Sequence, residues 1–313
     1  MFWMSSMATR DAYGEALKIL GKENENIVVL DADLSSSTKT KVFAQEYPER
    51  FINVGIAEQN LMGIAAGIAT TGKIPFASTF AMFATGRAFE IIRNSIAYPK
   101  LNVKIAATHA GLTVGEDGAS HQALEDISVM RTIPNMTVIC PADGVEAKSA
   151  VLKAAEYEGP VYIRLGRSKV PTIFEEGKYE FEIGKAVQIK DGDDVTLIAT
   201  GVMVSRALEA AEMLEKEGIK ARVINMSTIK PIDREIIVKA AKETKGIVTA
   251  EEHNIIGGLG SAVSEVVTDE CPAVVKRVGT EDVFGESGNG DVLLEKYGLT
   301  AENIAKKAKE IIG

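Results

Sequence analysis

At 313 residues, with 46% hydrophobic and 25% charged residues, the chain has an ordinary globular composition and the length for two domains, each with its own core. A net charge of −9 argues against nucleic-acid binding as its main task, because a phosphate backbone calls for a basic face. Cys140 and Cys271 lie far apart without metal-ligand spacing and read as free thiols in a reducing compartment.

The start, Met1 to Met7, lacks the basic and cleavage regions of a secretory signal, and its repeated methionines suggest an added leader or an alternative start. Between Leu61 and Phe83 an apolar stretch is interrupted by Thr70, Thr71, Gly72 and Lys73 before it reaches membrane-spanning length. A cytoplasmic protein without membrane contact is expected. Short β-branched runs at 27–30, 103–107, 137–140 and 161–163 predict strands buried on both faces, and 58–69, 84–97 and 145–157 predict helices. Strands alternating with helices imply a doubly wound α/β fold with mainly parallel sheets. From Val170 to Glu180 the pattern lapses into a charged, irregular connector. A second α/β series follows, with strands at 195–201, 221–225, 246–250 and 273–277 and a helix ending near Leu214. The expected division is 1–185 and 186–313.

Chemistry concentrates in the first domain. Glu58 stands where a strand-like stretch runs into a helix of small and apolar residues, so its carboxylate meets the positive end of a helix dipole. A simple helix-start acid fits equally, although small neighbours let a ligand approach the backbone closely. Phe80 and Phe83 follow a strand predicted at 74–77, and aromatics three apart also suit a core face. Between Thr108 and Gln122 one Gly-rich loop holds two of the three histidines, His109 and His121, with Glu116 and Asp117 between them. Gly111, Gly115 and Gly118 break regular structure there, so a loop displays these groups. They suit a metal or a hydrogen-bonding substrate; no pair has the helical spacing of metal ligands. Arg164 and Arg167 follow the strand at 161–163, at an edge where an anionic substrate group would bind; a solvated surface Arg is the plainer alternative. The Gly-rich run at 255–260 precedes a helix but does not fit a dinucleotide fingerprint.

Four motifs occur in order: Gly55 to Gln59, Ser78 to Phe83, Thr108 through His121 and Gln122, and Gly166-Arg167. In this the chain resembles the C-terminal part of transketolase, a thiamine diphosphate enzyme family, over nearly its whole length. The resemblance implies a pyrimidine-binding domain followed by a transketolase-type C-terminal domain. The family's pyrophosphate-binding domain, marked by Gly-Asp-Gly and a later Asn-Asn, has no counterpart, since the run from Gly288 to Asp291 has the wrong order. The implied protein is therefore one half of a split transketolase. A separate N-terminal subunit would hold the diphosphate with Mg2+ or Ca2+, this chain would hold no metal, and two copies of each subunit would assemble.

The same resemblance places Glu58 against the pyrimidine N1′, where a carboxyl promotes the imino tautomer that takes the thiazolium C2 proton. It makes Ile56, Phe80, Phe83 and Asp33 cofactor contacts. It gives His121 and Asp117 the donor sugar's hydroxyls beside the reacting carbon, and His109 and Arg167 the sugar phosphate. Gly86 stands where family members often carry a larger aromatic, and Gln59 where many carry His. Transfer of a two-carbon ketol unit from a ketose phosphate to an aldose phosphate is the implied reaction. A 2-oxoacid dehydrogenase E1 β subunit and a 1-deoxyxylulose-5-phosphate synthase-like enzyme are the alternatives within thiamine chemistry. A subunit with a vestigial site and a metallohydrolase built on the histidine loop are those outside it.

Overall fold

The computed structural model describes residues 5–313; the methionine-rich start at 1–4 lies outside the described residues. In chain order the strands are β1 (Ser6–Ala8), β2 (Ile27–Asp31), β3 (Phe51–Asn53), β4 (Ile74–Phe80), β5 (Lys104–Thr108), β6 (Thr137–Ile139), β7 (Val161–Arg164) and β8 (Lys169–Pro171). After the connector come β9 (Val187–Lys190), β10 (Val195–Ala199), β11 (Ala221–Asn225), β12 (Thr228–Lys230), β13 (Ile247–Asn254) and β14 (Val275–Thr280).

A seven-stranded sheet has the order β12-β6-β7-β5-β4-β2-β3, and a five-stranded sheet the order β14-β13-β10-β11-β9. Both are parallel except at one edge, where β12 and β9 run antiparallel to their neighbours. Doubly wound α/β architecture is thus present in both halves, as the alternation of strands and helices predicts. Strands covered on both faces are mostly apolar, and β5, β7 and β10 are buried throughout, with Lys104 at one end of β5 and Arg164 at one end of β7 enclosed as well. β12 lies beyond the connector in sequence yet completes the first sheet through Thr228 and Lys230. β1 and β8 form a separate antiparallel pair.

The helix Glu58–Ala69 begins where expected and buries Leu61, Met62, Ala65 and Ala66. Burying a side chain such as Leu61 contributes about 1.5–3 kcal/mol. Two expectations need correction, on the segment 84–97 and on the end of β4. The segment at 84–97 is not one α-helix; wide π-type turns at Phe83–Arg87 and Ile92–Ala97 flank a short helix, Phe89–Ile91. β4 continues past Ala77, so Phe80 ends a strand instead of following one. The start of the helix Leu259–Glu270 has no room for a phosphate, because the Glu251 carboxylate already accepts from Leu259 N at 2.7 Å and Gly260 N at 2.8 Å. A Cβ on Gly258 would come 1.9 Å from that carboxylate. Cys140 is buried and Cys271 partly so, both as free thiols. Among the described residues no helix is long and apolar enough to cross a membrane.

Candidate active site

Ligands of parallel α/β sheets collect at the carboxyl ends of the strands. At that edge of the seven-stranded sheet stand Asp33 after β2, Ile56 and Glu58 after β3, Phe80 at the end of β4, His109 after β5 and Arg167 after β7. Asn53, the last residue of β3, ties two of these together. Its side chain accepts from Asp33 N at 3.1 Å and Gly55 N at 3.0 Å and donates to Asp33 Oδ1 at 3.0 Å. Asp33 and His109 both hold left-handed backbone conformations, φ 65° and 57°, which cost a non-glycine residue energy and persist where surroundings enforce them.

Four rings form one face. Phe80 stacks on His109 with centroids 3.8 Å apart and on Phe83 at 5.8 Å. His121 meets Phe83 edge-on at 5.2 Å and Phe80 at 6.2 Å. Glu58 is largely buried at its helix start, and that helix packs on β4 and on the Phe83–Arg87 turn. Among the described residues no ion pair engages its carboxylate. Ile56, two residues earlier, is 83% exposed.

His109 is buried, and its pKa falls to about 3 through burial first, then repulsion from Arg10, Arg167, His121 and Lys39. The imidazole is neutral, and its tautomer follows from Arg10, which can only donate. Arg10 Nη1 lies 3.1 Å from Nε2, so Nε2 accepts and Nδ1 carries the proton toward Thr108 Oγ1 at 2.8 Å. Arg10 itself went unmarked in the sequence. It donates to Ser37 O at 3.1 Å while its buried Nε has no partner. It lies in the first turn of the helix Thr9–Glu23, and nothing in its sequence neighbourhood signals function.

Asp117 is exposed on the loop, 3.7 Å from Arg167, which also meets Glu116 at 3.4 Å and donates to Val114 O. His121 Nδ1 pairs with Ser120 Oγ at 2.9 Å. The structure thus brings His109, His121, Phe80 and Phe83 into contact and joins Asp117 to Arg167. Arg164 does not join them. It is buried, donates to Asp126 Oδ2 at 2.8 Å and to the carbonyls of Ala123 and Glu252, and so fastens the two sheets together instead of gripping an anion. Among the described residues no group of three or more His, Cys, Asp or Glu is placed to hold a metal ion.

An aromatic face beside a carboxylate that lacks a cation suits a flat, nitrogen-rich ring such as an aminopyrimidine.

Residues 5–172 match the transketolase pyrimidine-binding domain and residues 184–304 the transketolase C-terminal domain. The chain belongs to the transketolase family, a class of transferases dependent on thiamine diphosphate. It is 58% identical over 303 residues to a provisionally named transketolase C-terminal section of Methanocaldococcus jannaschii, covering 96% of this chain and 95% of that one. It is 45% identical to the 6-deoxy-6-sulfo-D-fructose transketolase subunit SqwH of a Clostridium species, over 96% and 94% of the two chains. A solved structure described as "Split gene transketolase, inactive beta4 tetramer" superposes with a TM-score of 0.92 at 62% identity, over 98% of each chain. The human transketolase, 42% identical, is matched over only 49% of its own length.

Proposed function

We propose that this chain is the C-terminal subunit of a split transketolase, moving a two-carbon ketol unit from a ketose phosphate to an aldose phosphate in the cytoplasm. The observation that carries the reading is a largely buried Glu58 that makes no ion pair among the described residues, the stacked Phe80–Phe83 pair, and Ile56, two residues before Glu58, left 83% exposed. Such a surface is built to be covered. A separate N-terminal subunit bearing the pyrophosphate-binding domain would cover it and hold the diphosphate with Mg2+ or Ca2+. Names of relatives as a section, a subunit and a split-gene product support that organisation; an assembly with two copies of each chain is part of the same proposal. The division near residue 185 belongs to the same proposal.

Bound thiamine diphosphate would supply the nucleophilic carbon and the electron sink for the two-carbon unit. This chain's part is to orient and to move protons. Glu58 would hold a hydrogen bond to the pyrimidine N1′, keeping the exocyclic nitrogen able to accept a proton. Phe80 and Phe83 would flank the ring, with Ile56 and Asp33 completing the wall. His121 and Asp117 would hold the donor's hydroxyls. The anionic end of the sugar would meet Arg167, His109 and also Arg10, whose Nε is free to donate. His109, being neutral, would contribute a hydrogen bond and shape there, not charge.

Affinity capture of the chain from its source extract, with mass spectrometry of what it binds, tests this reading. The expected result is an equimolar subunit carrying Gly-Asp-Gly followed by Asn-Asn, and ketol transfer by the complex with that subunit. Recovery of lipoyl-bearing dehydrogenase components would replace it with the E1 reading, and recovery of this chain alone would remove its basis.

A further inference from the structure

Gln122 directly follows His121 and is buried. Its amide nitrogen donates toward three carbonyls, Leu112 O at 3.2 Å, Gly115 O at 3.3 Å and Glu286 O at 2.9 Å. The first two lie on the near arm of the loop that carries Asp117; the third belongs to the far end of the chain. Its other atom, Oε1, is buried without a partner, and a Cβ on Gly285 would stand 1.9 Å from it.

The same distant segment grips the rest of the loop. Ser287 Oγ donates to Glu116 O. A Cβ on Gly115 would come 3.2 Å from Gly288 O, and one on Gly118 3.5 Å from Ser287 N. The segment is itself anchored, since the Tyr297 hydroxyl reaches Phe284 O and Glu286 Oε1, each at 3.1 Å. From β13, the buried Glu252 carboxylate accepts from Thr113 N at 2.6 Å. The approach of the Gln122 side chain leaves no room for a Cβ at 285, which gives the otherwise unplaced glycine there a physical reason.

We propose that Gln122 and the segment 285–288 are positioning elements for the donor sugar, so that the C-terminal half of the chain sets donor affinity without touching the donor. They fix where His121 and Asp117 stand. This rests on the reading of those two residues as donor-facing. Gln122 ties two loop carbonyls ahead of Asp117, those of Leu112 and Gly115, to Glu286 O of the distant segment, so its loss frees the backbone leading into Asp117 and the position that follows His121.

Two measurements test it. The chain has three histidines, so the imidazole resonances of the full-length protein can be assigned one by one. Gln122→Ala and Gly285→Ala should each shift the His121 signals. In the complex with the N-terminal subunit both should raise donor KM roughly tenfold, the scale of one or two lost hydrogen bonds, with kcat and thiamine diphosphate affinity little changed. Gln122→Glu adds a readout that a loss of stability alone would not give. Its carboxylate faces three carbonyl oxygens when ionised and regains one O–H donor when protonated, so donor KM should improve relative to wild type as pH falls. Unmoved His121 signals together with unchanged donor KM in both alanine variants would overturn the proposal. If His121→Ala raises donor KM while those variants do not, positioning fails alone. If His121→Ala also leaves KM unchanged, the donor-facing reading fails and takes this proposal with it.

Discussion

Arg164 and Arg167 leave the same strand end three residues apart and come to opposite ends. Arg164 turns into the contact between the two sheets, where its side chain is 5% exposed and that of Asp126 0%. Burial alone would raise the Asp126 carboxyl, but the adjacent guanidinium outweighs it and holds the group below its usual range. Tyr162 adds a hydroxyl bond to the same carboxylate at 2.7 Å. Arg167 instead stays 35% exposed, with Glu116 and Asp117 at 3.4 and 3.7 Å. Residue type and strand position are shared, so what separates structure from function is the partner. A cation enclosed with its own carboxylate fastens the fold; a cation in loose, wet pairs on a glycine-rich loop can exchange them for a ligand.

That contrast yields graded expectations. The largest effect belongs to the carboxylate left without a cation: Glu58→Ala should lower turnover of the complex about 10²- to 10⁴-fold, the usual worth of a positioned acid–base group. It should leave the urea midpoint of the isolated chain nearly unchanged. Near-normal turnover would remove Glu58 from the chemistry. Next is the enclosed pair. Arg164→Leu strands the Asp126 charge and should cost about 3–5 kcal/mol in urea unfolding, whereas Arg167→Met should cost about 0.5 kcal/mol or less and act on donor KM. An equal loss of stability in the two variants would break the distinction. His121→Ala and Asp117→Ala come third. Each should raise donor KM roughly tenfold, as expected for one lost hydrogen bond to a hydroxyl, while thiamine diphosphate affinity holds. Released cofactor with unchanged donor affinity would reverse their assignment.

Local pattern made the alternation of strands and helices legible, and it placed Glu58 at its helix start because the run of small and apolar residues begins there. The loop from His109 to His121 was legible because its glycines punctuate a dense polar run. What stayed hidden depends on partners far along the chain. Nothing near Arg164 announces Asp126, 38 residues earlier, and nothing near Thr113 announces Glu252, 139 residues later. Arg10 reaches His109 across 99 positions from inside an unremarkable helix. β9 and β12 escaped for another reason: they are short edge strands carrying Gln188, Lys190 and Lys230, without the apolar runs of a central strand. The π-type turns at Phe83–Arg87 and Ile92–Ala97 escaped because an apolar helical pattern does not distinguish i+4 from i+5 hydrogen bonding.

A further expectation carries the comparison into pH. His109 has a folded pKa near 3 against 6.5 for the free side chain, for burial and its cationic neighbours disfavour the imidazolium. Between those values the unfolded chain binds a proton that the folded chain refuses. Stability therefore rises with pH across that window, is fully present above 6.5, and is lost as the solution is acidified. One such group contributes a slope of at most about 1.4 kcal/mol per pH unit. His253, pushed by burial to about 4, adds a second contribution of the same sign from the enclosed side of the molecule. His109→Gln should flatten the acid limb of urea stability between pH 6.5 and 4 without abolishing it, because His253 remains. An unchanged slope would mean that the His109 imidazole takes up its proton in the folded chain. The ring could then meet an anion as a cation, and Arg10 would lose its reason to be the charged partner in that corner of the site.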